Sequence, residues 1–271
     1  MYLTIKWLIE TIIFAVLFFL LGSINMVLGL IFTYMATPVI ELLILGIICY
    51  ILVVLIVLWE IFAVGKARVI SLGNKLIRKE LRPAKFIEYY TSNIFIIKKP
   101  CVEVLQLVAI AYDLLDDKEN ALATVDEMIA IASEKKKSFT YLVKCSFLFS
   151  CGKIEEAELL FNEVQKQKLD LMSRSLADAI LKSDRAMAMG DYKTVEAYYL
   201  NILECSFPKP DNLGKLIAHY TLGVVYEKLQ DNCNAIAHYQ YCAEYGGETG
   251  IRRSAIERLE YIKKSNLNKG E

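Results

Sequence analysis

Two histidines and seven cysteines are the side chains of this sequence best suited to metal binding or catalysis. His219 and His238 could serve as metal ligands or general bases, but they lie in different predicted helices and form no recognisable ligand motif. No HExxH segment, phosphate-binding glycine-rich loop or nucleophile elbow is present. The sequence therefore predicts a protein that is not an enzyme and has no cofactor or metal. Both histidines are expected to pack between helices.

The cysteines show no CxxC spacing that would indicate a metal or redox site. Cys145, Cys151, Cys233 and Cys242 lie within helical patterns, where a small apolar side chain packs well. Because the cytoplasmic side of a membrane is reducing, we expect free thiols rather than disulfides.

Composition indicates an apolar chain without a dominant charge. Hydrophobic residues make up 55% of the 271 positions and the mean hydropathy is +0.37, which is above the usual share for soluble domains. The 31 Lys and Arg residues balance 31 Asp and Glu residues. This balance argues against a strongly basic nucleic-acid-binding protein, so the predicted partners are protein and membrane lipid, with no nucleic acid.

The N-terminal quarter predicts a transmembrane hairpin over residues 1–65. Residues 11–40 carry no charge, and about 20 apolar residues suffice to cross a bilayer. The predicted spans are 11–33 and 39–64, with Pro38 starting the second helix and Glu41 expected at the membrane interface. A cleavable signal peptide is the alternative for the first span, although the apolar stretch is about twice the usual length.

A basic segment follows over residues 66–99, with nine Lys and Arg residues against Glu80 and Glu88. Because positive residues stay on the cytoplasmic side, both termini are predicted to be cytoplasmic. Together with the Ile- and Lys-rich composition, this predicts an integral protein of a bacterial inner membrane. Residues expected to contact anionic lipid are Lys66, Arg68, Lys75, Arg78 and Lys79.

One pattern occurs four times between residue 102 and about residue 246. In each copy a small residue, at Ala109, Cys145, Ser183 or Gly223, is followed 12 positions later by another small or β-branched residue. The copies are offset by 36, 38 and 40 positions, and turn-forming residues separate the two halves of each copy. The third copy is the most divergent, and the extra positions are expected to fall in loops.

This pattern resembles the tetratricopeptide repeat, a helix-turn-helix unit of about 34 residues. The resemblance implies an all-α fold. After the hairpin, a right-handed α-solenoid of paired antiparallel helices would cover residues 100–271, with a capping helix over 251–264. The sequence departs from the family pattern at Lys144, Lys182 and Val195. The repeat-packing residues that the resemblance implies are Ala109, Tyr112, Ala121, Cys145, Ala157, Phe161, Ser183, Tyr199, Gly223, Tyr226, Ala235 and Tyr239.

The resemblance also implies a concave groove lined by the first helix of each pair. The clamp of Lys, Asn and Arg with which some members hold a C-terminal carboxylate is missing, so an apolar or amphipathic segment is the expected ligand, with basic residues favoured by the acidic groups. Binding on the convex side and self-association remain alternatives. The implied groove residues are Gln106, Ile110, Asp113, Leu142, Ser146, Phe149, Ile180, Asp184, Met187, Tyr220, Val224 and Glu227.

The sequence favours a membrane-tethered protein–protein interaction module, a scaffold or adaptor that presents this groove at the cytoplasmic face. The alternative is a subunit of a larger membrane assembly, for transport, secretion or the envelope, whose specific contacts are made by the hairpin. An enzyme or transporter is the least supported function, because the apolar helices carry few polar residues.

Overall fold

A computed structural model describes residues 39–93, 100–207 and 209–267. Within these ranges the chain is helical and contains no strand, which confirms the predicted all-α class for this part of the chain. Two segments, Asn74–Lys79 and Leu181–Arg185, form π-helical turns. The α-helices are α1 (Val39–Gly73), α2 (Pro83–Ser92), α3 (Val102–Leu114), α4 (Lys118–Ile131), α5 (Glu134–Ser150), α6 (Ile154–Gln165), α7 (Leu171–Ile180), α8 (Ala186–Ala188), α9 (Tyr192–Glu204), α10 (Asn212–Lys228), α11 (Asn232–Tyr245) and α12 (Gly250–Leu267).

Four helix pairs share one turn geometry. The pairs are α3 with α4, α5 with α6, the α7–α8 segment with α9, and α10 with α11. In each pair the turn contains one residue with positive φ, and this residue lies seven positions after the small residue of the sequence pattern. The next backbone N–H donates to the carbonyl five residues earlier, at 2.8–3.0 Å. This hydrogen bond satisfies a carbonyl at the helix end. The positive-φ residues are Asp116, Gly152, Gly190 and Gln230.

Aspartate side chains start many of the helices. The carboxylates of Asp117, Asp191 and Asp231 accept hydrogen bonds from backbone N–H groups in the first turn of α4, α9 and α11. Asp170 and Asp211 do the same for α7 and α10. Each such cap stabilises its helix, because it satisfies an N–H group that has no partner within the helix.

The small residues of the pattern lie where the helices of a pair approach each other. Ala109, Cys145, Ser183 and Gly223 are all buried. A Cβ atom added at Gly223 would lie 2.7 Å from the ring of Tyr239, so α10 and α11 are as close as a glycine permits. The residues 12 positions later, Ala121, Ala157, Val195 and Ala235, are fully buried as well.

The contacts divide the chain into two units, Met1–Val64 and Gly65–Glu271. In the first unit, eight large apolar side chains between residues 44 and 55 are 38–55% exposed. The predicted span 11–33, the turn before Pro38 and the signal-peptide alternative lie outside the described residues. The predicted span 39–64 falls within α1, which continues past Lys66 and Arg68 to Gly73.

The structure contradicts the predicted membrane location. A membrane-spanning helix needs an unbroken apolar stretch of about 20 residues. Across the described part of the chain, no helix combines the length and the hydropathy that crossing a bilayer requires. By this criterion, the prediction of an integral protein of a bacterial inner membrane, with both termini in the cytoplasm, is wrong.

The second unit brings its first and last helix pairs together. One core cluster joins Val104 and Val108 of α3 to Leu216 of α10, Tyr239 of α11 and Ala255 of α12. In an open solenoid each repeat contacts only its neighbours. Here the predicted terminal helix packs against both ends of the array.

Polar contacts also join the first and last parts of the second unit. Arg253 of α12 donates to the Asp116 carboxylate at 2.9 Å, and Arg78 pairs with Asp211 at 3.2 Å. The backbone N–H of Glu248 donates to the carbonyl of Leu81 at 2.9 Å. These contacts join positions more than 130 residues apart, so they hold the two ends of the unit in one arrangement.

Candidate functional site

A cleft of about 300 Å³ opens between the first helices of the second, third and fourth pairs. α5, α6, α8, α9, α10 and the π-helical turn Leu181–Arg185 contribute side chains to it. Its walls are mainly aromatic and aliphatic, as is usual for ligand sites. The lining residues are Phe149, Ser150, Ile154, Ser183, Asp184, Met187, Ala188, Tyr199, Tyr220, Thr221 and Val224.

Five of the twelve predicted groove residues line this cleft: Phe149, Asp184, Met187, Tyr220 and Val224. They come from three different helix pairs, separated by up to 75 positions in the sequence. A sixth predicted residue, Ser146, donates a hydrogen bond from Oγ to the Asp184 carboxylate at 2.6 Å.

The other predicted groove residues lie elsewhere. Leu142 and Ile180 are fully buried in the core between α5 and α7 and present no surface to a ligand. Asp113 pairs with Lys118 at 2.5 Å. Glu227 accepts hydrogen bonds from the Tyr239 hydroxyl at 2.8 Å and from Arg258 at 3.0 Å. Gln106 and Ile110 are half-buried on α3, which contributes nothing to the cleft lining.

Asp184 is the charged group of the cleft. One carboxylate oxygen accepts from Ser146, and the other lies 2.9 Å from the Ser183 hydroxyl, whose single proton is shared with the Ala179 carbonyl at 2.8 Å. Desolvation raises the pKa of Asp184, and the negative charge of Asp113 raises it further, while the two serine hydrogen bonds oppose these effects. The carboxylate is therefore held in place by neutral donors rather than by a cation.

The π-helical turn Leu181–Arg185 positions Asp184, and no residue pattern predicted this turn. Ser183 lies 12 residues after the start of its helix at Leu171, whereas Cys145 and Gly223 lie 11 residues after the starts of theirs. Part of the extra length of the third copy is thus inside a helix rather than in a loop. Such π-helical turns are rare and often occur at functional sites.

The two tyrosines of the cleft are neutral. Burial raises the pKa of Tyr199 to about 12 and also raises the pKa of Tyr220. The Tyr220 ring packs near that of Tyr239, with 5.9 Å between the ring centroids. Both phenols are therefore protonated at neutral pH and add no charge to the cleft.

The two histidines pack between α10 and α11, away from the cleft lining. Their Nδ1 atoms are 2.9 Å apart, so the N–H of one ring donates a hydrogen bond to the nitrogen of the other. His219 stacks on Tyr241 and His238 stacks on Tyr226. Burial lowers both pKa values, that of His219 to about 4, so both rings are neutral at pH 7. The described residues contain no group of three or more metal-ligating side chains.

The basic residues predicted to contact lipid take part in several local contacts. Lys75 pairs with Glu80 at 3.4 Å, and Arg78 pairs with Asp211. The carbonyl of Lys79 accepts a hydrogen bond from Asn212 at 2.7 Å. Lys66 and Arg68 are half-buried near the end of α1. Arg78 and Lys79 therefore help to join the start of the second unit to α10.

All seven cysteines are free thiols. Cys145 and Cys242 are buried, and desolvation raises the pKa of each to about 12. Because the thiolate is the reactive species, these two side chains are unreactive packing groups.

Comparison with protein-family models finds no match, and neither does comparison with curated proteins or with solved structures.

Proposed function

We propose that residues 100–271 form a degenerate tetratricopeptide-like array that binds a segment of a partner protein in the cleft between its first helices. One observation carries this proposal: five groove residues predicted from their position in the repeat line a single cleft. They are Phe149, Asp184, Met187, Tyr220 and Val224. Residues spread over three repeats converge in this way when the helix pairs stack with a common orientation.

The repeated turn supports the tetratricopeptide-like architecture. Four turns use a positive-φ residue at the same repeat position and the same hydrogen bond across the helix end. In our proposal the pairs stack as a right-handed array of antiparallel helices. The array differs from an open solenoid in that its last pair and α12 return to the first pair.

The chemistry of the cleft favours a short apolar or amphipathic segment. Its volume is at the lower end of the range for small-molecule sites, about 300–1,000 Å³, which suits one or two side chains rather than a folded element. The remainder of the segment would lie over Met187 and Val224, which are only half-buried. The module thus acts by binding, as a scaffold or adaptor.

The experiment compares partner binding by full-length variants. Val224→Asp places a charge in the cleft, and Leu159→Asp places the same charge on α6, at a side chain that is 70% exposed and outside the lining. We expect Val224→Asp to reduce binding of the co-purifying partner by at least about tenfold, since burying an unpaired charge is costly, whereas Leu159→Asp binds normally. If both variants bind equally and keep the helical circular dichroism of the wild type, the partner binds at a surface other than the cleft.

A second candidate function is that of a subunit in a larger protein assembly, with contacts made by α1. The favouring observation is the row of exposed apolar side chains on this helix, which include Ile44, Ile47, Ile48, Ile51 and Leu55. Contiguous exposed apolar surface of this kind usually marks an interaction site. If α1 carries the contacts, Ile47→Asp with Ile51→Asp abolishes co-purification and Val224→Asp does not.

A further inference from the structure

The cleft has an unbalanced negative charge. Its lining residues include the Asp184 carboxylate but no Lys or Arg. The cations next to Asp184 in the sequence are engaged elsewhere: Lys182 pairs with Asp178 at 2.8 Å, and Arg185 pairs with Glu158 at 2.6 Å. Among the described residues, no ion pair to Asp184 is formed.

The position of this carboxylate is costly for the protein alone. Burial disfavours its charged form and so raises its pKa. The carboxylate is nevertheless fixed by Ser146 and Ser183, at 2.6 and 2.9 Å, on a π-helical turn. A purely structural role would be met equally well by a neutral residue, because a buried charge without a cation does not stabilise a fold.

Aromatic side chains line the same cleft as the carboxylate. Phe149, Tyr199 and Tyr220 belong to the same lining as Asp184. Aromatic ring faces attract cations, most strongly where water is excluded. A carboxylate in a cleft with aromatic walls complements the charged end and the methylene chain of an alkylammonium ion.

We infer that this cleft recognises an alkylammonium group, supplied by a lysine side chain of the bound segment. The lysine methylenes would lie against Phe149 and Tyr220, and the ammonium would donate to the Asp184 carboxylate. This inference rests on the proposed function, since it assigns the residue type that the binding cleft selects. The ammonium would then form the ion pair that Asp184 does not form within the described part of the protein.

The test uses the full-length protein and isothermal titration with three blocked Ala/Leu peptides that differ at one central position. That position is lysine, norleucine, which keeps the methylenes but lacks the ammonium, or glutamate. We expect the lysine peptide to bind about tenfold more tightly than the norleucine peptide, as a charge-assisted hydrogen bond would give. The glutamate peptide should bind most weakly.

Asp184→Asn is the matching variant, since its amide oxygen can still accept a hydrogen bond from Ser146. Glu257→Gln is the control, because it removes an exposed carboxylate from α12, outside the cleft lining. Asp184→Asn should equalise the affinities for lysine and norleucine, whereas Glu257→Gln should keep the preference. The wild-type comparison needs no variant, so the inference stays testable even if Asp184→Asn folds poorly.

The outcomes separate this inference from the proposed function. If lysine and norleucine peptides bind equally and Val224→Asp weakens both, the cleft binds a segment but the inference is overturned. If no peptide binds, n-butylammonium is titrated alone while cleft resonances are followed by NMR. Binding that is lost in Asp184→Asn then supports an alkylammonium site for a free amine and overturns the lysine source together with the proposed function. If neither the peptides nor n-butylammonium bind, both proposals are overturned.

Discussion

Adding one methyl group at Gly223 tests the close approach of α10 and α11. In Gly223→Ala, the new Cβ would lie 2.7, 2.8 and 3.1 Å from three atoms of the Tyr239 ring, whereas carbon atoms prefer separations of about 3.5–4.0 Å. The ring must therefore move by roughly 0.5–1 Å. Tyr239 is fully buried and its hydroxyl is bound to Glu227, so it has little freedom to do so.

Two opposing effects set the size of the change. Overpacking of this kind costs about 1–3 kcal/mol, while replacing a helical glycine with alanine stabilises by about 1 kcal/mol. We expect a net loss of up to about 2 kcal/mol in the free energy of unfolding, which lowers Tm by up to about 8 °C for a domain of this size. Urea unfolding followed by circular dichroism measures this change.

The reasoning about Gly223 is checked in a background that removes the clash. In Tyr239→Leu the ring is absent, so adding Gly223→Ala should be neutral or stabilising by up to about 1 kcal/mol. If Gly223→Ala stabilises the wild-type protein as much as it stabilises the Tyr239→Leu protein, the helices are not in contact at this position, and the assigned repeat geometry is refuted.

Three further predictions follow from caps and from groups with shifted pKa values. The pKa values of His219 and His238 lie below 6.5 in the folded state, so the unfolded chain binds more protons. The free energy of unfolding should therefore fall as pH drops from about 6.5 to about 4. The double variant His219→Gln with His238→Gln should show a smaller fall over this pH range when unfolding by urea is measured. Asp184→Asn should raise Tm at pH 7 relative to the wild-type protein, because burial raises the pKa of Asp184 and its charged form therefore destabilises the fold as pH rises; a lower Tm would contradict this. Asp231→Ala should cost about 1 kcal/mol in chemical denaturation by removing the cap of α11, and Asp231→Asn should restore most of it.

The sequence predicted those features that depend on short-range patterns. The small residues Ala109 and Gly223 mark helix approaches because a repeating unit places one close contact at one position in each copy. The turns at Gly152 and Gly190 could be predicted because glycine readily adopts positive φ. Asp116 and Gln230 take the same conformation without glycine, so residue type did not predict the positive φ at these two positions.

Features that depend on distant contacts could not be predicted. The pairing of Arg253 with Asp116 joins residues 137 positions apart and leaves no periodic trace in the sequence. Leu142 and Ile180 have the periodicity of groove residues, but tight packing of α5 on α7 buries them. The π-helical turn at Asp184 adds a single residue, which in a pattern of degenerate copies is indistinguishable from a longer loop.

The prediction of a membrane location, which rested on the hydropathy of the N-terminal quarter, was wrong. The apolar run at 39–64 predicted a span that ends before Lys66, yet α1 runs on to Gly73 and its last turns carry charged residues. The described helices do not meet the length and hydropathy of a membrane span. The predicted repeat domain does not depend on this result, because its helix pairs lie within the second unit.

Photo-crosslinking of a bound peptide tests the central claim most directly. A lysine-containing Ala/Leu peptide with a photoreactive residue beside the lysine is irradiated with the full-length protein, and the attachment sites are mapped by mass spectrometry. We predict attachment to Met187, Tyr220 or Val224, with loss of these products when unlabelled lysine peptide competes. Attachment instead to outward-facing side chains such as Leu159 or Tyr245, unaffected by the competitor, would contradict binding in the cleft.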